Sequence, residues 1–482
     1  MRTSPVKYLA TLILAITFCK GYCQSPVTIS GTAPFAAGEE LRLLIFDDLI
    51  NGTPTLAATD IIDKNGRFTL KYKTNEVKAA QLAIRTSKAD LFIAPSVNYN
   101  FSISVDSVLF NKINPEKYGG MLMIVNNNPD TADLNYKINR FLRFYDSVND
   151  EYSFKMIYDN RADAFDSVRT NISANFPCEY NPENFYLSYI YYSMGNIDML
   201  QYRKKPLSIY EKYFNNDQIL YNNPAYMSLF NQYYSGYLYL SPKIKKDLLT
   251  EAINENPDYI KLFNEVGKDP KLTNARLREL VIIKNLIEFL DNKEFDRNNI
   301  IKLLEYIKQT STFEKHIKII ENTLENINSS EEIASNVTFR DEKNKKVNLK
   351  HYLGKPVYLH IFQTDCIDCI REMAIISELN SKYGEKVQFV SLCIDPEESD
   401  YQNFIKKYKK NFDWPILYFN KEYDWIMREG IEALPDYIYY NADGTVANRF
   451  VASPEHGLPE FLMMTFPIEE NKDDNPLFQE RK

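Results

Sequence analysis

Gln363-Thr364-Asp365-Cys366-Ile367-Asp368-Cys369 is the stretch on which the reading of this chain turns. The β-branched and aromatic run Val357-Tyr358-Leu359-His360-Ile361-Phe362 leads into it and predicts a buried strand. Beyond it, Met373, Ile376, Leu379 and Tyr383 recur at helical steps, which predicts a helix. The two cysteines therefore stand where a strand turns into a helix. Residues three apart on a helix share a face, so the sulfurs fall within disulfide reach. A thiol at a helix N-terminus meets the positive end of the macrodipole, which favours the thiolate. This arrangement suits thiol–disulfide exchange.

Working outward, strand and helix alternate. Val387 to Leu392 predicts a strand and 397–411 a helix; Ile416 to Phe419 predicts a strand and 421–429 a helix. Tyr437 to Tyr440, the turn Asn441-Ala442-Asp443-Gly444 and Thr445 to Phe450 read as a hairpin, and Leu458 to Met464 as a closing helix. Upstream, Val337-Thr338-Phe339 and Lys346-Val347-Asn348-Leu349 flank a small hairpin ahead of Gly354-Lys355-Pro356.

This order of elements resembles the thioredoxin superfamily, and most of all its TlpA/ResA-like periplasmic thiol–disulfide oxidoreductases. The matching residues are Val347-Asn348-Leu349, Gly354-Lys355-Pro356, Cys366-x-x-Cys369, Glu372-Met373, Ile394-Asp395-Pro396-Glu397-Glu398, Leu434-Pro435 and Asp443-Gly444. They cover 333–466 only. The resemblance implies an α/β thioredoxin-like fold and an enzyme that exchanges thiols and disulfides through Cys366 and Cys369. It needs no cofactor beyond that redox-active pair. Cys366 would attack a protein disulfide and Cys369 would resolve the mixed disulfide. Glu372 would move protons to and from Cys369; the competing reading is an exposed first-turn acid. Leu434-Pro435 would present backbone to the substrate through a cis bond, against an ordinary turn proline. The implied partners are protein disulfides and a membrane or periplasmic thiol that supplies electrons.

Two departures modulate the site. The family has Trp just before the first cysteine, where Asp365 stands, and often Pro between the cysteines, where Ile367-Asp368 stand. An acid within roughly 6 Å of a thiolate costs about 0.7–2.8 kcal/mol, depending on the local dielectric. The helix end returns about 0.3–1 kcal/mol, up to ~2 in good geometry. A less stabilised thiolate means a more stable disulfide, so the pair reads as a reductant rather than a strong oxidant. The competing reading has Asp365 and Asp368 pointing into water and capping the helix. Cys393 and His360 read as buried packing residues, and Cys178 as a structural free thiol.

The rest of the chain divides in two. Residues 24–110 predict a β-rich, sandwich-like domain from short alternating strands, with a hairpin at Lys64-Asn65-Gly66 closed by a type I′ turn. Residues 111–330 predict an all-α domain, with helical patterns at 134–148, 159–174, 183–199, 224–238, 243–266, 274–293, 297–309 and 312–328. No repeat period emerges. The dense tyrosines there read as helix packing with hydroxyls at the surface, or as a peptide or glycan groove. The thioredoxin-like domain is placed at 331–467, and 468–482 reads as a disordered tail.

At 482 residues the chain exceeds a single core. Arg2 and Lys7 before the apolar run Tyr8 to Phe18, with Gly21-Tyr22-Cys23 at the cleavage positions, predict a signal peptide over 1–23 and export to the periplasm. Bulky Phe18 and Tyr22 argue against lipid attachment at Cys19 or Cys23. The formal charge of −8 becomes −11 once Arg2, Lys7 and Lys20 are removed, which argues against nucleic-acid partners. No later run is apolar enough for an integral membrane segment. One CxxC among six cysteines, with four histidines at no ligand spacing, argues against zinc. A Gln three residues before Cys366 excludes the peroxiredoxin pattern. Two other readings remain: a non-catalytic binding or scaffold protein that keeps the fold, and a disulfide isomerase.

Overall fold

The structure is a computed structural model. It describes residues 25–105 and 122–467 apart from 129, 158–160, 202–205, 217, 291, 432 and 449–450, with backbone alone for 206, 328–336 and 448. The expected signal peptide at 1–23 and the tail at 468–482 lie outside the described residues.

The first region is two four-stranded sheets. Its strands are β1 (Ser25–Thr32), β2 (Glu40–Phe46), β3 (Thr55–Ile61), β4 (Arg67–Thr74), β5 (Lys78–Ile84), β6 (Ser87–Ile93), β7 (Asn98–Ser104) and β8 (Met123–Asn126). The sheet orders are β4-β1-β7-β8 and β3-β2-β5-β6. Alternation puts Val27, Ile29, Phe68, Leu70 and Phe101 of one sheet into a shared core with Leu41, Leu43, Ile45 and Leu82 of the other. Two expectations are corrected here. Strand β8 pairs with β7, so the β region runs past residue 110. The Asn65-Gly66 turn does not close a hairpin. Of its residues only Gly66 has a positive φ, 76°, whereas a type I′ turn needs two. The Asp63 carboxylate accepts from the Asn65 and Arg67 backbone N–H groups at 2.8 Å each and holds the turn in another form. The chain then crosses from one sheet to the other: β3 pairs with β2, and β4 with β1.

The helical region contains α1 (Leu134–Ile157), α2 (Ala162–Asn175), α3 (Phe185–Gln201), α4 (Pro224–Tyr233), α5 (Tyr259–Val266), α6 (Ala275–Phe289), α7 (Arg297–Thr310) and α8 (Glu314–Asn336), with one-turn pieces between them. The pattern expected over 243–266 breaks at Asn256–Asp258, where the Asp258 side chain caps α5 by accepting the Lys261 N–H at 3.0 Å. Helical turns at Pro206–Ile209 and Tyr210–Phe214 escape the periodicity. Helix α8 continues to Asn336, past the expected boundary at 330. Tyr192, Tyr213, Tyr226 and Tyr234 are fully buried, so their hydroxyls do not reach the surface as expected. Tyr213 instead donates to Asp198 at 2.7 Å, and Tyr192 meets Tyr226 edge-on at 4.8 Å. These rings are packing.

The C-terminal region is a seven-stranded sheet in the order β10-β9-β13-β12-β11-β14-β15. Its elements are β9 (Phe339–Arg340), β10 (Lys346–Val347), β11 (Val357–Phe362), α9 (Ile367–Tyr383), β12 (Gln388–Cys393), α10 (Glu398–Tyr408), β13 (Ile416–Tyr418), α11 (Tyr423–Arg428), β14 (Asp436–Tyr440), β15 (Val446–Asn448) and α12 (Leu458–Thr465). All six residues of β11 are buried, because it lies between parallel β12 and antiparallel β14. The strand expected at 387–392 and the terminal hairpin fall where the alternation puts them.

The first and last regions touch through β2. Leu41, Leu43 and Ile45 face the sandwich core, which turns Arg42 the other way. Its guanidinium is buried between Asp424 of α11 and the Arg85 backbone carbonyl. Arg85 pairs with Glu39 at 2.7 Å and with Glu397 at 3.0 Å.

Candidate active site

The site is built at the C-terminal end of β11. A turn closed by Cys366 N–H to Gln363 O at 3.2 Å takes the chain from strand to helix. Cys366 then occupies the N-cap position of α9, and its own sulfur accepts the Cys369 N–H at 3.2 Å. The two sulfurs form a disulfide, with Cα atoms 5.3 Å apart. Cys366 is 5% exposed and Cys369 is sealed at 0%, the order expected of an outer and an inner sulfur. Ile367 between them is 77% exposed.

Glu372 lies one turn further on the same helix face as Cys369 and is 4% exposed. It is a buried carboxyl, not an exposed first-turn acid. Burial raises its pKa above the ordinary 4.5, and the charge of Glu455 adds to that. The hydrogen bond from the Tyr437 hydroxyl, the Glu455 backbone N–H and His456 pull the other way. The Leu434–Pro435 bond is cis. Ile361 pairs with Asp436, so Pro435 stands at the end of β14 that meets the cysteine end of β11. The Leu434 side chain is buried in the core.

Residues 329–461 match the Redoxin family model. ResA, a thiol-disulfide oxidoreductase of Bacillus thuringiensis, is 34% identical over 136 residues, which span 28% of this chain and 77% of that protein. The chain belongs to the ResA family of thiol–disulfide oxidoreductases. ResA of Halalkalibacterium halodurans is 28% identical over 138 residues, again 28% of this chain and 77% of the relative. Among solved structures, a thiol:disulfide interchange protein from Bacteroides sp. is 16% identical, with a TM-score of 0.24, and covers 30% of this chain and 93% of its own. A secreted disulfide oxidoreductase of Mycobacterium tuberculosis is 21% identical, with a TM-score of 0.21, and covers 24% and 84%.

The acids of this ResA-family site do not cap the helix, since the Cys366 sulfur holds that place. Asp365 and Asp368 are exposed, and Asp368 pairs with Arg371 at 2.6 Å. Arg371 reaches Glu455 at 3.6 Å. Water therefore screens both acids toward the low end, about 0.7 kcal/mol at roughly 6 Å, which is close to what the helix end returns.

Sequence reasoning missed the part played by Asp395. In the sequence it stands only among the residues that carry the family resemblance. Phe362 pairs with Cys393 in the parallel register, which brings Asp395 beside Thr364. The buried Asp395 carboxylate accepts from the Thr364 hydroxyl at 2.6 Å, the Thr364 N–H at 3.2 Å and the Cys393 thiol at 3.2 Å. Burial pushes its pKa up to about 6, against those hydrogen bonds, and Asp365 adds to the rise. Asp395 thus anchors the turn that carries Cys366. A groove of about 400 Å³ opens here between Asp365, Asp395, Pro396, Phe404 and Tyr408. Cys393 is buried, and burial pushes its thiol up, so it stays protonated. His360 is buried with Nδ1 3.3 Å from the Ser391 hydroxyl, and burial pushes it down to about 3. It is a neutral packed ring, as expected. Cys178 is a free, half-buried thiol.

Proposed function

We propose that the chain is an exported reductase of protein disulfides that works through Cys366 and Cys369. The observation that carries this reading is the Cys366 sulfur at the N-cap of α9. A thiolate there keeps the Cys369 N–H as donor and the helix end as counter-charge. Cys366 attacks one sulfur of a substrate disulfide. That bond breaks, the other substrate sulfur leaves as a thiolate and takes a proton from water, and a mixed disulfide forms. Cys369 then gives its proton to the Glu372 carboxylate, and its sulfur attacks Cys366. The mixed disulfide breaks, and the second substrate sulfur leaves and is protonated. Two electrons have passed to the substrate, and Cys366–Cys369 is oxidised. A thiol donor in the membrane or periplasm reduces it again by the same exchange.

Direction follows from charge. Asp365 lies outside Cys366, and Asp395, ionised above about 6, lies behind its turn. Both disfavour a thiolate and so favour the disulfide. A potential near roughly −120 mV, the strongly oxidising end, would contradict the assignment. Export rests on residues 1–23, and among the described residues no helix is long and apolar enough to cross a membrane. The test is Cys369→Ser in the full chain, expressed with its leader. It should accumulate a mixed disulfide through Cys366 that dithiothreitol releases. If no substrate is captured while Cys366 remains alkylatable, the reductase reading is overturned.

A further inference from the structure

We propose that Tyr437 is a positioning residue that fixes the Glu372 carboxyl beside Cys369 and ties it to the strand end where the substrate would dock. This rests on the reading of Glu372 as the proton carrier of Cys369.

Tyr437 lies two residues past the cis Pro435 on β14, and its hydroxyl donates to Glu372 on α9. The phenol cannot swing freely. Its ring stacks on Tyr358 at 5.8 Å and on His360 at 6.0 Å, both from β11. Tyr358 is itself anchored by its hydroxyl to Ala452 O at 3.1 Å. A phenylalanine would keep these stacks, so packing alone does not call for the oxygen. The oxygen holds the Glu372 carboxyl and also meets the Ser453 side chain. A ring clamped on the central strand thus aims a donor at a carboxyl one turn from the inner sulfur. Backbone that a substrate would contact at Leu434–Pro435 belongs to the same strand segment. A shift of that segment moves the donor and changes how firmly Glu372 holds a proton.

Other charged and phenolic groups lie around Glu372. Arg371 and Asp368 on α9 pair with each other in the open. Glu455 and His456 come from the loop before α12, and their charges on Glu372 oppose one another. Asp436 precedes Tyr437 on β14, and burial raises the Tyr358 phenol on β11 well above its ordinary value, so that it stays neutral. Among these groups, Tyr437 donates a side-chain hydrogen bond to the Glu372 carboxyl. Removing it leaves burial unopposed by that bond, so Glu372 keeps its proton to higher pH.

The test is single-turnover reduction of 5,5′-dithiobis(2-nitrobenzoate) by the prereduced full chain across pH. The first chromophore release reports Cys366, and the second reports resolution by Cys369. In Tyr437→Phe the midpoint pH of the second release should rise by about one unit relative to wild type, with the first release as internal reference. Glu372→Gln should remove that titration. Glu372→Asp, one carbon too short for the phenol, should also move the midpoint up, although aspartate is ordinarily the stronger acid. It keeps the inference testable should Tyr437→Phe fold poorly. If Glu372→Gln removes the titration while Tyr437→Phe and Glu372→Asp leave the midpoint unmoved or lower, this inference is overturned and the proton-carrier reading stands. If Glu372→Gln leaves the titration intact, the proton-carrier reading falls first.

Discussion

Two buried glutamates, one in the helical region and one beside the cysteines, use similar residues to opposite ends. Glu279 on α6 meets His316 Nδ1 at 2.8 Å and the Tyr259 hydroxyl at 2.9 Å, and it also accepts from Ser311. His316 in turn meets the Tyr221 hydroxyl at 2.7 Å. These partners outweigh burial and hold the Glu279 carboxyl below its ordinary value. Glu372 has Tyr437 and one backbone N–H, burial wins, and its carboxyl is raised. A buried acid with many donors fastens helices together. One with few donors, next to a sulfur, is poised to exchange a proton.

The comparison can be broken most decisively at the sulfur. Cys366→Ser should reduce insulin reduction to the dithiothreitol background while leaving the urea unfolding midpoint close to wild type. Retained turnover would remove the redox region from its side of the contrast. Glu279→Ala should do the reverse. It should cost about 3–5 kcal/mol of stability in urea unfolding, by stripping a buried network of its shared acceptor, and leave turnover within about twofold.

Acidification sharpens the contrast. The Glu279 contribution is complete above 4.5 and is lost as pH falls through its lower folded value. The raised Glu372 has the opposite sign. Its folded form holds the proton longer, so it costs stability as pH rises from 4.5 through its folded value. Hydrogen exchange corrected for intrinsic rates should therefore show α6 and α8 loosening below pH 4.5, and Glu279→Gln should abolish that loss. The smallest effect belongs to exposed Asp365. Asp365→Asn should raise the midpoint potential by only about 15 mV, which equals roughly 0.7 kcal/mol for two electrons. A shift several times larger would mean that the acid is not screened by water.

What could be read from the sequence was what local spacing encodes. The strand before Cys366, the helix after it and the sulfur pair follow from period and motif, and they are where expected. The partners of the buried carboxyls could not be read in this way. Tyr437 is 65 positions from Glu372 and Asp395 is 31 from Thr364, and only strand register brings each pair together. The Asn65-Gly66 turn failed for a similar reason. Its residues permit a hairpin, but the sheets claim β3 and β4 separately. The buried Tyr213 could not be read this way either, because Asp198, the acid that satisfies its hydroxyl, lies on another helix.

The cysteine-bearing portion is not a detachable cassette. Arg42 is 2% exposed, with Asp424 and Tyr423 of α11 against its guanidinium. Arg85 shares its charge with Glu397, two residues from the acid that anchors the Cys366 turn. Excising residues 337–467 would leave two arginines of the sandwich facing solvent and remove an outside brace from the excised piece. Truncated versions of this chain should therefore be compared with the whole before their redox properties are taken as its own.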